Sequence, residues 1–247
     1  MNNSPDGGQL SNQERLELAA VKAGSKPVQR LERTAIEADK LEKKLIDKGI
    51  VFVAAEFHVI EHRSHPLGDA FMRTIPGRAS GSQVGIYYVA RRANFDAARV
   101  LARLEFSDPG SPEIGQRLGY PACCVAAYQD IQSGRDWLES MLDHTSESDP
   151  GFMACNRLAK LFGGWTLLPD YFPCSFGCSL SADWSNQILS SISDASLKEY
   201  VAAARVALEF PIRIEANNIT QLTPSPQIVF HNTKITRPRT LTWLKHS

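Results

Sequence analysis

Gly49-Ile50-Val51-Phe52-Val53-Ala54-Ala55-Glu56-Phe57-His58-Val59 is where this chain changes period. Before it, apolar residues recur three and four positions apart. Within it, Val51, Val53, Ala55, Phe57 and Val59 alternate on one face of a predicted strand, with Glu56, His58 and, further on, His62 on the other. Gly49 reads as the stop of the preceding helix, because glycine accepts the left-handed conformation that ends one. A strand following a helix here makes the first part of the chain a mixed α and β structure.

Upstream, Val28 to Lys48 reads as one amphipathic helix, its stripe formed by Leu31, Ala35, Ala38, Leu41 and Leu45. A shorter helix is expected from Glu14 to Lys22, so that residues 14–49 form a pair of amphipathic helices. Residues 1–13 are polar and rich in Gly, Pro and Ser, and are expected to be a disordered tail. Downstream, His65 to Ser82 reads as a loop, and a second strand runs from Gln83 to Arg92 through Val84, Ile86, Tyr88 and Ala90. Asn94 then caps a helix carrying Phe95, Ala98, Leu101, Ala102 and Phe106. Residues 50–110 thus form a small α/β layer.

Residues 111–247 read as mostly helical, with pieces at Ile114–Leu118, Pro121–Ile131, Asp136–His144, Met153–Phe162, Asp183–Ile192 and Ala195–Phe210. Two short strands close the chain, Ile212–Ala216 and Gln227–His231, separated by Thr223-Pro224-Ser225-Pro226. The expected fold class is α+β, a small N-terminal strand/helix layer followed by a mostly helical, cysteine-bearing half.

Composition bounds the function classes. Lys and Arg number 27 and Asp and Glu also 27, so the chain has no net charge. That balance argues against a dedicated nucleic-acid binder, although Arg91, Arg92, Arg99 and Arg103 leave room for a local basic face. No stretch approaches the roughly 18 apolar residues of a membrane span, and Met1 to Gly8 has no apolar signal-peptide region. The expectation is a cytoplasmic protein with no membrane partner. The sequence carries no indication of oligomeric state.

Four of the five cysteines fall in two short Pro-led segments. Gly119-Tyr120-Pro121-Ala122-Cys123-Cys124 is followed fifty residues later by Pro173-Cys174-Ser175-Phe176-Gly177-Cys178. Four thiolates are the ligand set for tetrahedral zinc or for an iron–sulfur cluster. Redox thiols without metal, disulfides, or four small buried residues are the alternative readings. An odd cysteine count and a cytoplasmic setting weigh against disulfides. Proline suits the first turn of a helix, so Cys123 and Cys124 are expected in one first turn. Cys174 is expected in another, with Cys178 one turn later on the same face. Helix N-termini stabilise negative charge and lower thiol pKa values. Neighbouring helical side chains diverge by about a hundred degrees, which a bulky cluster accommodates more readily than one small ion. Iron–sulfur is therefore the leading reading and zinc the alternative. Cys155, in Phe152-Met153-Ala154-Cys155-Asn156-Arg157-Leu158, reads as a small buried residue on an apolar stripe.

These segments carry a resemblance. Leu118-Gly119-Tyr120-Pro121-Ala122-Cys123-Cys124-Val125, taken with Pro173-Cys174-Ser175-Phe176-Gly177-Cys178-Ser179-Leu180-Ser181, resembles the Gly-Tyr-Pro-x-Cys-Cys and Pro-Cys-Ser-x-x-Cys-x-x-Ser signatures of a prokaryotic family, the domain of unknown function 483. It spans Glu113 to Leu189 and implies that the four cysteines belong together.

A second concentration of ligand types is Glu56-Phe57-His58-Val59-Ile60-Glu61-His62-Arg63-Ser64-His65. On a strand, Glu56, His58 and His62 would share a face, the donor set of a two-histidine, one-carboxylate iron centre. On a helix, His58, His62 and His65 would do so instead. The plainer reading is the polar face of an edge strand. His144, His231 and His246 are isolated and expected at the surface. Trp165, Tyr171 and Phe172 precede the second cysteine pair, where aromatics shield a cluster or fill a core.

The sequence thus points to a cytoplasmic metalloprotein whose Cys123, Cys124, Cys174 and Cys178 hold an iron–sulfur cluster, with Tyr120, Ser175 and Ser179 supplying hydrogen bonds around it. Its partners would be a small-molecule substrate or a redox partner protein, its chemistry redox or sulfur-handling. The alternatives are a non-enzymatic zinc-stabilised binding module and a non-heme iron enzyme using Glu56, His58 and His62.

Overall fold

The computed structural model describes residues 10–64, 70–132, 140, 143–144, 173–175, 178–208, 212–215, 218–221, 228–231 and 239–241. The chain divides into two compact units, the first holding Met1–His65, Asp69–Tyr120 and Ser190–Ser193, the second the remainder. The class is α+β.

In the first unit, helix α1 (Asn12–Ala23) leads to strand β1 (Val28–Thr34), helix α2 (Ala35–Leu45) and a 3₁₀ turn at Ile46–Lys48. Strands β2 (Ile50–Ser64), β3 (Ala70–Pro76) and β4 (Val84–Arg91) follow. A 3₁₀ turn at Arg92–Asn94 then enters α3 (Phe95–Ser107), which is followed by α4 (Pro112–Leu118). The four strands form an antiparallel sheet in the order β1-β4-β2-β3.

Alternation along central strands β2 and β4 supplies two cores. Val51, Val53, Ala55, Phe57 and Val59 of β2, with Ile86, Tyr88 and Ala90 of β4, pack on Ala98, Leu101 and Ala102 of α3 and Leu118 of α4. Phe57 and Phe106 stack there with ring centroids 5.5 Å apart. The opposite face, through Ile50, Phe52, Ala54, Tyr87 and Val89, packs on Leu18 and Val21 of α1 and on Ala38, Leu41 and Leu45 of α2. The alternation read from sequence is therefore real, but both faces of the early β2 segment are covered.

Four sequence expectations need correction. The helix read over Val28–Lys48 is a strand followed by a helix. Thr34 and Glu37 form a reciprocal capping box that starts α2 at Ala35, and Leu31 lies on β1 opposite Tyr87. The expected loop from His65 to Ser82 contains β3. Asn94 stands at the N-cap position of α3 but makes no side-chain capping hydrogen bond; its side-chain amide donates instead to the Pro27 carbonyl at 3.2 Å. The disordered tail does not extend to Gln13, because Leu10 packs against the α1–α2 core and Ser11 caps α1 in a second capping box with Glu14.

The second unit contains α5 (Ala122–Gln132), α6 (Ser179–Ser190), α7 (Ala195–Leu208) and strands β5 (Ile212–Glu215), β6 (Asn218–Gln221), β7 (Ile228–His231) and β8 (Arg239–Leu241). Those strands form an antiparallel sheet in the order β7-β6-β5-β8, which extends the two strands expected at this end of the chain. The helices expected at Asp136–His144 and Met153–Phe162, along with Cys155, Trp165, Tyr171 and Phe172, fall outside the described residues or largely so. Among the described residues, no helix is long and apolar enough to cross a membrane.

Candidate metal centre

Helix α5 begins where proline dictates. The Pro121 carbonyl accepts from the amides of Cys124 at 2.9 Å and Val125 at 3.0 Å, which places Ala122, Cys123 and Cys124 in the first turn as the sequence implied. Pro173, in contrast, does not start a helix. Cys174 lies in a bend, and Cys178 stands one residue before α6 as its N-cap. The amide of Ser181 donates to Cys178 Sγ at 3.4 Å and that of Ala182 to the Cys178 carbonyl at 3.1 Å. A thiol here does what Ser or Asp does at an ordinary N-cap.

These elements bring the four sulfurs together. Cys123 Sγ lies 3.8 Å from Cys124 Sγ and 3.6 Å from Cys178 Sγ, and the Cys124 and Cys178 sulfurs are 3.7 Å apart. All four, Cys174 included, lie within 4.8 Å of one another. All are free cysteines; Cys124 is buried and the other three are half-buried. Vicinal residues do converge at this site. Their Cα atoms are about 3.8 Å apart, and the Cys123 and Cys124 side chains turn so that their sulfurs keep the same spacing.

Polar groups around the sulfurs already suit thiolates. The Cys174 amide donates to Cys124 Sγ at 3.4 Å, and Ser181 Oγ sits 3.2 Å from the same sulfur. Hydrogen bonds from the Cys124 and Cys174 thiols, with the Ser181 hydroxyl and amide, hold Cys178 far below the ordinary thiol range. Hydrogen bonds with Cys174 and Cys178, together with burial, push Cys124 far up. For Cys174 the hydrogen bond with Cys124 lowers the pKa. The hydrogen bond with Cys178 and burial outweigh it, and Cys174 is pushed up to about 12. Cys178 is thus the sulfur most disposed to carry negative charge, and a bound cation would favour ionisation of Cys124 and Cys174.

The other expected participants are placed as follows. Ser175 is buried, and its carbonyl accepts from the Cys178 amide at 3.4 Å, so it shapes the turn rather than reaching a sulfur with its hydroxyl. Ser179 is exposed at the first position of α6. Tyr120 packs against the α3–α4 core of the first unit, near enough to Arg30 to contribute to its electrostatics. Sequence reasoning missed Ser181. The signal existed: with Cys178 as N-cap, the residue three positions on is the one whose amide returns to the cap.

Glu56 and His58 serve different partners. The Glu56 carboxylate is exposed, 3.9 Å from Arg103 Nε of α3. His58 is buried, with Nδ1 2.8 Å from the Gly77 carbonyl and Nε2 3.3 Å from Gln83 Nε2. Because the carbonyl only accepts, Nδ1 is assigned the proton and Nε2 accepts from the Gln83 amide. Neither ring nitrogen is left for a metal. His62 lies on β2 at the register position opposite Met72, beyond a one-residue register slip between Val59 and Glu61. His144 is exposed, with Nδ1 2.7 Å from the Ser140 carbonyl.

No protein-family model, no curated protein and no solved structure matches this chain. The site therefore stands on its own geometry: four cysteines gathered so that they can hold a metal.

Proposed function

We propose that Cys123, Cys124, Cys174 and Cys178 hold a single tetrahedral zinc ion, and that this ion stabilises a module acting by binding a partner rather than by redox chemistry. The carrying observation is the spacing of the sulfurs. A metal–sulfur bond of about 2.3 Å in a tetrahedron sets its sulfurs about 3.8 Å apart, and the separations among the Cys123, Cys124 and Cys178 sulfurs are 3.6, 3.7 and 3.8 Å. A cubane cluster takes one thiolate per iron, so its ligand sulfurs stand about 6 Å apart. The upper bound of 4.8 Å among all four sulfurs is short of that distance. This reading replaces the expected iron–sulfur cluster with the zinc alternative.

Zinc suits the surroundings as well. Three of the four cysteines are half-buried, an exposure that a redox-inert ion tolerates. Four protein thiolates also leave no position for water or substrate, the mark of a structural rather than a catalytic site. The ion would tie the first turn of α5, the Pro173–Ser175 bend and the N-cap of α6 into one knuckle.

Anaerobic purification followed by metal and acid-labile sulfide analysis tests this. The expected result is colourless protein with one equivalent of zinc and no sulfide, and a Cys123→Ser variant that loses the metal. Brown protein with iron and stoichiometric sulfide would restore the cluster. A single iron without sulfide would keep the geometry and reject zinc.

A further inference from the structure

A different feature lies in the first unit, far in character from the thiols. Lys22 from the last turn of α1, Lys48 from the 3₁₀ turn after α2, and Arg91 and Arg92 at the end of β4 line one cavity of about 250 Å³. Gly49, Ile50 and Ala93 complete its walls, and no carboxylate lines it. In a chain with equal numbers of acidic and basic residues, four cations around one hollow are a local excess.

We propose that this cavity binds a small phosphate monoester, its phosphoryl group held by Lys22, Lys48, Arg91 and Arg92. The four come from three separate segments, so the sheet and both helices must be folded for the charges to meet. Among the described residues none of the four is ion-paired, whereas Arg99 pairs with Asp96 at 3.4 Å and Arg103 approaches Glu56 at 3.9 Å. The basic face anticipated from sequence thus divides, with two arginines matched by acids and two turned to the cavity.

Like charges so gathered repel, and an anion removes that cost. Desolvation lowers the Lys22 pKa, and the neighbouring Lys48 charge adds to it in second place. Favourable placement near a helix C-terminus accounts for Lys22, but not for Arg91, the last residue of β4, or Arg92, the first of the 3₁₀ turn after it. Arg91 is also held close: its Nη1 lies 2.5 Å from where a Cβ on Gly24 would stand, and Gly24 ends α1 at φ 85°. Two guanidinium groups and two ammonium groups match the several acceptor oxygens of a phosphate. The volume lies below the roughly 300–1,000 Å³ of drug-sized sites, which points to a small ester.

Titration calorimetry of the full, metal-loaded chain with ribose 5-phosphate, and with ribose as control, tests the proposal. The phosphate ester should bind with a dissociation constant below about 1 mM and ribose should not bind. An Arg91→Gln, Lys48→Gln variant, folded by circular dichroism, should bind at least tenfold more weakly. A Lys43→Gln variant, altered at an exposed α2 lysine outside the cavity, should bind as the parent does. Inorganic phosphate binding as well as the ester would keep the phosphoryl site, consistent with recognition through that group. No binding at 10 mM (roughly ten times that limit), or equal weakening by Lys43→Gln, would overturn the site. A short single-stranded oligonucleotide binding far more tightly than the ester would overturn the assignment to a small ligand.

Discussion

The sulfurs of Cys123 and Cys178 lie 3.6 Å apart although 55 positions separate them in the chain. Each is fixed by a helix start, Cys123 inside the first turn of α5 and Cys178 at the N-cap of α6. Two helix N-termini therefore converge on one thiol cluster, and their partial positive charges favour the thiolate forms. A metal at this point would also close a loop of about fifty residues, a constraint on the unfolded chain of the kind a disulfide imposes.

Ser181, not Ser179, is the serine that conditions these sulfurs. Its hydroxyl is 3.2 Å from Cys124 Sγ and its amide 3.4 Å from Cys178 Sγ. Ser181→Ala removes the hydroxyl contact while keeping the amide, and groups supporting metal ligands are typically worth 10–100-fold in affinity. A zinc competition titration should show a loss of roughly tenfold for Ser181→Ala and no change for Ser179→Ala. Equal effects would mean that Ser181 has no privileged contact with the sulfurs.

In the first unit, Lys26 Nζ lies 2.6 Å from Glu17 Oε2, the side chains 1% and 9% exposed. Removing one member of a buried pair leaves the other charge uncompensated, at a cost of about 3–5 kcal/mol, whereas replacing both with apolar groups is often neutral. Lys26→Met should therefore lower the urea midpoint strongly. Glu17→Leu combined with Lys26→Met should recover most of it. Additive losses in the double variant would show that the pair itself supplies net stability.

How far the sequence could be read follows from which signals were local. Period-2 alternation in Val51–Val59 identified the sheet face that meets α3, because each of those side chains lies on a central strand. Val28–Thr34 was misread because Leu31 continues the spacing of the α2 stripe. Only the antiparallel partner β4 makes that segment a strand. The cysteine grouping was legible from two Pro-led motifs, yet the separations of the sulfurs were not. They depend on side-chain rotamers at Cys123 and Cys124, which spacing does not encode. For His58 the sequence left a ligand role open beside the plainer reading of a polar strand face, and the partners that occupy its ring, the Gly77 carbonyl and the Gln83 amide, come from residues distant in the chain. Half of the basic cavity was legible, since Arg91 and Arg92 belong to the basic face read from sequence, but Lys22 and Lys48 are far from them in the chain and join them only in the fold.

The capping box at α2 gives a pH dependence of known sign. Hydrogen bonds from the Thr34 hydroxyl and amide hold the Glu37 carboxyl below its ordinary value. A group whose pKa is lower in the folded than in the unfolded state adds stability above its unfolded pKa. That contribution disappears as pH falls through the folded value. The group is largely solvated, so the effect is a few tenths of a kcal/mol to about 1. Glu37→Gln should lower the thermal midpoint slightly at pH 7, and the difference from the parent should vanish in acid below the Glu37 titration. A difference that grew on acidification would contradict the capping assignment.

Gly119 opens the first cysteine motif for a reason internal to the first unit. It ends α4 at φ 85°, its amide reaching the carbonyls of Gln116 and Gly115, and a Cβ there would lie 2.6 Å from Pro27 Cδ. A side-chain-bearing residue in the left-handed region costs about 1–2 kcal/mol, and the clash with a rigid proline ring adds to that. Gly119→Ala should therefore destabilise the protein by at least about 1 kcal/mol in urea unfolding. A Gly49→Ala variant, also at positive φ but with nothing within 4 Å of its Cβ position, should show the backbone cost alone. If the two variants lose the same stability, the approach of Pro27 contributes nothing, and the left-handed helix ending alone explains the glycine.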